Sequence, residues 1–526
     1  MPTSTPDSFI WASSALVPVA LLVSALLPTR ARPLATASVV TAWVSGAALA
    51  LTAVRVLATF LAPLQPSVVL GGFVRVDLTA CLMLSLVTCL GWVVARYSQR
   101  YLAGEAGLRR YERSLLTTLA GASLLVVSNH FGLLVLAWFL VSVALHQLLT
   151  FYPQRRGAIV AAHKKFILSR AADALLVVGT VLIGNAVGSF FVSDALAAAA
   201  SYDRLPVEVH LGMVLIVGTV VLKSAQLPFH GWLTQVMEAP TPVSALLHAG
   251  VVNLGGYVLI QLSPMLLRAT LAQGLLLAFG LATVVIGALT MMTRVSVKVA
   301  LAWSTIAQMG FMLVQCALGA WEFAVLHLLA HSAYKAHAFL SAGTTVQTWL
   351  ELGPPSRRTA GNTGVAVAVL LGLWGVVMAV TRLLRPGLFT AEWAVTTAVL
   401  AMGVSPSAAL AWSWGRATAL RALAPVFGVS SVLVALHWVL GPREPHGPEF
   451  TFGWGAALVA FVGLFALQAS LQARPQSAVA RWLRPRLFNG FSLDEWFTRL
   501  TFALWPPHDP AVGARTSRND QAEVRS

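Results

Sequence analysis

The sequence predicts an all-α, polytopic membrane protein of about 13–15 transmembrane helices, with a broken helix near residues 224–242. Three observations carry this. Of the 526 residues, 57% are hydrophobic and only 10% are charged, whereas a soluble domain carries roughly 25% charged residues. The apolar residues fall in long continuous runs with no alternation, which excludes the strands of a membrane barrel. At roughly 20 residues per spanning helix, these runs leave no room for a separate soluble catalytic domain.

Hydropathy places spans at 8–28, 34–62, 77–96, 112–128, 131–151, 166–188, 207–224, 240–262, 270–292, 298–318, 322–345, 364–381, 390–412, 422–440 and 452–472. The first run, from Phe9 to Leu27, follows no basic stretch. It reads as a retained first span and not as a cleaved leader. Cys81, Cys89 and Cys316 all lie in apolar stretches and form no CxxC pair, so they read as buried helix residues.

The loops test the count. After odd-numbered spans come Arg30, Arg32, Arg96, Arg100, Arg109, Arg110, Arg113, Arg155, Arg156, Lys164, Lys165, Arg170, Arg294, Lys298, Arg357, Arg358, Arg416 and Arg421, and the tail adds eight more arginines. After even-numbered spans there are only Arg75, Arg204, Arg268, Arg382, Arg385 and Arg443. Excess cations collect on the cytoplasmic side, so the N-terminus is expected outside and the C-terminus in the cytoplasm. The same rule accounts for the net charge of +16 better than nucleic-acid binding does. Four regions follow: N-terminal helices over 1–110, a translocation core over 111–350, C-terminal helices over 351–475, and a terminal region over 476–526. Within the last, 478–505 mixes tryptophans and leucines with arginines and reads as an interfacial amphipathic helix. The polar stretch from Pro506 to Ser526 reads as disordered.

Chemistry is sought among the titratable groups inside the apolar runs. Only five residues are lysine: Lys164, Lys165, Lys223, Lys298 and Lys335. Arginine keeps its proton in a protein, whereas a buried lysine can release one. Lys223 and Lys335 fall within spans and Lys298 at the mouth of one. A lysine at membrane depth marks function unless it snorkels to the interface. Around Lys223, Pro228, Gly231, Pro240 and Pro242 interrupt two helices, and Lys223, His230, Glu238 and His248 surround the break. Interrupted helices in membranes mark ion or substrate sites, and this set of groups fits a proton relay. The alternative is a Pro-rich loop with interfacial polar residues. A second segment holds His327, His331 and Lys335 at i, i+4 and i+8, with His337 beyond. That spacing stacks the first three on one helix face. Such a stripe can pass protons through intervening water; a zinc site and a purely structural network are the competing readings. Arg170 and Asp173, three apart, can pair on one face, either setting the charge state of a neighbouring lysine or orienting helices. No phosphate-binding loop, dinucleotide fingerprint or cysteine cluster occurs, so no cofactor is expected in this chain.

The stretch Lys223-Ser-Ala-Gln-Leu-Pro228, followed by Glu238-Ala-Pro-Thr-Pro-Val-Ser-Ala-Leu-Leu-His248, resembles the signature of the antiporter-like subunits of respiratory complex I and of Mrp-type cation/proton antiporters. Lys298 to Gly310, His327 to Gly343, Arg170-Ala-Ala-Asp173 and Asn489-Gly-Phe-Ser-Leu-Asp-Glu495 are similar to that family too. The likeness is strong over roughly residues 75–350, and it implies an antiporter-like inverted-repeat fold in a bacterial inner membrane. Within the family, Phe229-His-Gly-Trp232, Glu238-Ala-Pro240 and Tyr334-Lys-Ala-His337 look most like DabB-type subunits of inorganic carbon transporters. The 54 residues after the last span are also too few for the long lateral helix of the large complex I subunit.

The DabB resemblance implies a DabA partner, a large protein similar to β-type carbonic anhydrases, with zinc in that partner. It implies that ions conducted here, H⁺ or Na⁺, drive hydration of CO2 to bicarbonate there. Carried over residue by residue, Lys223, His248, Lys298, His327, His331 and Lys335 form the conducting line, with Arg170, Asp173, His230, Glu238 and His337 tuning it. Two positions depart from the family. Phe139 follows Trp138 where complex I and Mrp subunits carry a glutamate that pairs with the lysine matching Lys223, so Lys223 needs another partner. No lysine follows Lys335, leaving Arg385 and Glu392 as the nearest substitutes for the twelfth-span lysine. The chain is thus expected to be a transport subunit and not an enzyme. The alternatives are the pumping arm of an NADH:quinone oxidoreductase, an Mrp-type antiporter and a membrane scaffold.

Overall fold

The computed structural model describes residues 11–27, 33–61, 67–352 and 450–506, with isolated residues between 371 and 402. The expected spans at 364–381, 390–412 and 422–440, and the tail beyond 506, lie outside the described residues, as do Arg385 and Glu392.

Each of the other twelve expected spans coincides with helix. In order these are α1 (Leu16–Leu26), α2 (Pro33–Leu61), α3 (Leu78–Tyr101), α4 (Leu108–Val127), α5 (Phe131–Leu149), α6 (Arg156–Val187), then the short α7 (Val192–Ser201), and α8 (Val207–Lys223). After the break come α9 (Gly231–Gln235), α10 (Thr241–Ala249), α11 (Leu254–Gln261), α12 (Ser263–Leu266), α13 (Thr270–Met291), α14 (Val297–Ala317), α15 (Trp321–Leu340) and α16 (Ala342–Leu352). The described C-terminal part holds α17 (Thr451–Ala473), α18 (Ala478–Phe488) and α19 (Glu495–Leu504). Seven of the described helices are long and apolar enough to cross a membrane, and the stretch Thr241–Gln261, across α10 and α11, is an eighth candidate. The one sheet among the described residues is a two-stranded hairpin, β1 (Ser67–Val69) and β2 (Val74–Val76), ahead of α3.

Small residues allow close helix approach. A Cβ on Gly179 of α6 would lie 2.9 Å from the carbonyl oxygen of Gly212 on α8. Such small-residue contacts let backbones meet where lipid offers no hydrophobic drive between helices. They bring α6 against α8, the two helices that carry Asp173 and Lys223.

Three boundaries differ from expectation, each for a physical reason. The sixth helix starts at Arg156, not near 166, so Lys164, Lys165 and Arg170 are helix residues and not loop cations. The span at 240–262 is two helices: Gly250 leaves helical geometry (φ −123°, ψ −69°) and a 3₁₀ turn, Val251–Asn253, follows. The discontinuity therefore lies on both sides of α10, with His248 just before the second break. The amphipathic stretch at 478–505 is two helices joined at Gly490–Ser492, where Phe491 takes a left-handed conformation (φ 55°).

Candidate functional site: a buried line of lysines and histidines

The first cluster joins α6 and α8. The Lys223 ammonium donates to Asp173 Oδ1 at 2.5 Å. Arg170 meets the other carboxylate oxygen of Asp173 at 2.8 Å. One carboxylate thus serves two basic side chains. The Trp138 ring lies 4.6 Å from the Lys223 ammonium, and the Arg170 guanidinium lies over Phe139 at 4.2 Å. Aromatic faces attract cations by their quadrupole. The partner that Phe139 cannot supply is therefore Asp173, one helix over. Four residues apart on α6, Lys165, Ser169 and Asp173 form one stripe; Lys165 and Ser169 line a cavity of about 10 Å³ together with Trp138, Ser142, Lys223 and Trp232.

The second cluster lies between α10, α14 and α15. The Lys335 ammonium donates to Ser304 Oγ at 2.6 Å and to the carbonyl of Leu301 at 3.2 Å. His327 Nδ1 is 2.8 Å from Gln315 Oε1, and the His327 and His331 rings are 5.9 Å apart. The His248 ring stacks on Phe339 at 4.4 Å. Neither ring nitrogen of His248 or of His331 has a protein partner among the described residues, although both side chains are buried. Buried polar nitrogens in folded proteins are as a rule hydrogen-bonded, to protein or to water, so these four ring nitrogens stand out. Lys298 lies beside this cluster, donating to Thr241 Oγ1 at 2.9 Å, which donates onward to the Tyr101 hydroxyl at 3.1 Å.

A third group lies where the C-terminal helices cross the core. Lys164 of α6 is fully buried and donates to Asp494 Oδ2 at 2.5 Å and to Thr498 Oγ1 at 2.6 Å. Gln235 of α9 donates to the same carboxylate oxygen at 3.3 Å. A Cβ on Gly231 would overlap the Asp494 carboxylate, so only glycine admits this approach. The His163 ring stacks on Trp505 at 3.8 Å, and Arg294 donates to the Leu487 carbonyl at 3.2 Å. His230 is buried here, 4.8 Å from Trp303.

The expected residues thus divide. Arg170, Asp173 and Lys223 come together, as do His248, His327, His331 and Lys335, with Lys298 alongside. His230 is buried beneath the C-terminal helices. Glu238 and His337 join none of these clusters. Glu238 is exposed, its backbone carbonyl accepting from Arg155 at 3.0 Å. His337 is exposed two residues beyond Lys335, about 200° round the helix from it. Lys164, Lys165 and Asp494 went unrecognised in the sequence, the lysines because four cations between 155 and 165 read as a loop. Among the described residues no group of three or more His, Cys, Asp or Glu side chains could hold a metal ion.

Comparison with known proteins places the chain by family and fold. The family described as NADH:quinone oxidoreductase/Mrp antiporter, transmembrane, matches residues 128–411, and the complex I chain 5 N-terminal family matches residues 72–112. A probable inorganic carbon transporter subunit DabB of Hydrogenovibrio crunogenus is 38% identical over 84% of this chain and 85% of its own length. The probable subunit DabB2 of Halothiobacillus neapolitanus is 37% identical over 88% of each. Subunit L of the Mycobacterium tuberculosis NADH-quinone oxidoreductase is 30% identical over 74% of this chain and 62% of its own length. The fold is similar to a chain of the Mrp complex from Dietzia sp. DQ12-45-1b, with a TM-score of 0.62 and 22% identity over 98% of this chain; this chain spans 60% of that one. Motif, fold and relatives agree: the chain belongs to the NADH:quinone oxidoreductase/Mrp antiporter transmembrane family, and within it to the DabB subunits of inorganic carbon transporters.

Proposed function

We propose that this chain is the proton-conducting subunit that energises inorganic carbon accumulation. Protons move along Lys223, His248, Lys298, His327, His331 and Lys335, with Asp173 and Arg170 setting the charge at the Lys223 end. The work is done on a DabA-type partner, a carbonic-anhydrase-like protein holding zinc, where CO2 is hydrated to bicarbonate. The chain conducts and couples; the covalent chemistry belongs to the partner. It lies in the bacterial inner membrane with its N-terminus outside and its C-terminus in the cytoplasm, in keeping with the arginine-rich loops after the odd-numbered spans.

The observation that carries the reading is the set of ammonium and imidazole groups gathered inside the helix core, with Lys335, Lys298 and His327 bonded to hydroxyl or amide side chains. Sodium would need several oxygen ligands around it, whereas these clusters are lined by groups that exchange protons.

The test is Lys223→Ala co-expressed with the partner in cells that require high CO2. The expected outcome is loss of growth in air together with loss of proton uptake into vesicles measured by a pH-sensitive dye. Rescue in air by the variant would overturn the relay. Uptake of labelled sodium by the unaltered complex, with no dye response in sodium-free buffer, would overturn the choice of ion.

A further inference from the structure

We propose that Lys165 is a proton-relay residue that exchanges protons with Lys223 across the small cavity they share. This rests on the proton-conducting reading above and adds a step to it.

Lys165 lies nine residues into α6 and is 6% exposed. Its ammonium donates to the backbone carbonyl of Ser142 at 3.1 Å. No carboxylate pairs with it among the described residues; Asp173, eight residues along the same helix, is engaged by Lys223 and Arg170. A lysine has three donors, so two remain for the cavity. That cavity, about 10 Å³, is lined by Lys165, Ser169, Lys223, Ser142, Trp138 and Trp232, and it has room for about one water.

A structural role accounts poorly for this residue. Burying an ammonium without a counter-ion is costly. The contact it makes in return is a single bond to a carbonyl in the middle of α5, which the helix itself supplies with a donor. A relay role accounts for it directly, because two like charges facing one small cavity favour holding one proton between them over holding two. In the transfer, an N–H bond of the Lys223 ammonium breaks and its proton passes to the bridging water. Another proton of that water forms the new N–H bond on the neutral Lys165 amine, and Lys223 is left neutral. No oxidant or other reactant enters. Lys165 also stands next to Lys164, which the Asp494 carboxylate holds under the C-terminal helices.

The test uses the assembled complex with its partner in proteoliposomes and compares dye-reported proton flux for Lys165→Gln, Lys165→Arg and Lys223→Gln. Glutamine keeps a hydrogen-bond donor without the charge, and arginine keeps the charge but releases no proton. The expected result is a loss of at least about tenfold for both Lys165 variants, at unchanged yield of assembled complex. Wild-type flux in Lys165→Arg reduces Lys165 to an electrostatic anchor and overturns the proposal. Flux above half of wild type in Lys165→Gln, with Lys223→Gln inactive, overturns it also. If Lys223→Gln itself conducts normally, the proton-conducting reading fails instead.

Discussion

Lys223 and Lys335 are both buried in the core, yet their surroundings differ in kind. Lys223 faces a carboxylate at 2.5 Å that also holds Arg170. Lys335 faces a hydroxyl and a backbone carbonyl, and its further neighbours on the same helix face are the neutral-capable rings of His331 and His327. The first cluster sets a carboxylate and a guanidinium beside its lysine. The second carries only the protons that visit it. The contrast separates two ways of holding an exchangeable proton in a membrane: beside a fixed carboxylate, or among groups that are neutral once it leaves.

If that contrast is right, the largest effect on stability comes from the shared carboxylate. Asp173→Ala strands two cations and should cost about 3–5 kcal/mol, visible as a lowered melting temperature in detergent, with flux abolished. Lys335→Met comes next and sharpens the contrast. Its partners are neutral, and Ser304 Oγ still accepts from Gln308 at 3.3 Å. Stability should shift by no more than about 1 kcal/mol, while flux falls at least about tenfold. A melting loss as large as that of Asp173→Ala would erase the distinction.

Gly231→Ala tests the third group. The added methyl displaces Asp494 from Lys164, at a cost of about 1–3 kcal/mol for the stranded buried partner; limited proteolysis should then release the segment after 478 faster. Phe139→Ala removes the ring under Arg170 and should cost about 0.5–1 kcal/mol. His337→Ala, on the exposed face, should change stability by less than about 0.5 kcal/mol and leave flux untouched.

Much of the architecture was readable because bilayer physics writes it in long apolar runs. Twelve expected spans coincide with helix, and the Pro-rich break around Lys223 is where α8 ends. The stripe of His327, His331 and Lys335 was equally readable, since helical spacing is a local property. What escaped was whatever depends on distant packing. The Asp173–Lys223 pair joins residues 50 apart, which no spacing rule detects. Lys164 and Lys165 were read as a loop because four cations depress hydropathy over ten residues. In the fold, α5, α8 and the C-terminal helices bury them. His337 stands apart from the clusters for a simpler reason: a residue two positions from Lys335 points to the opposite side of a helix.

The bond between Lys164 and Asp494 spans 330 residues of chain. At ordinary rates of synthesis the ribosome needs about 15 to 70 seconds to travel from the one to the other. Throughout that interval the newborn protein holds an unclosed seam on one side of its core, with a lysine waiting for its carboxylate. The helices that carry Asp494 and Thr498 therefore act as a latch that shuts only after the core they close has been made.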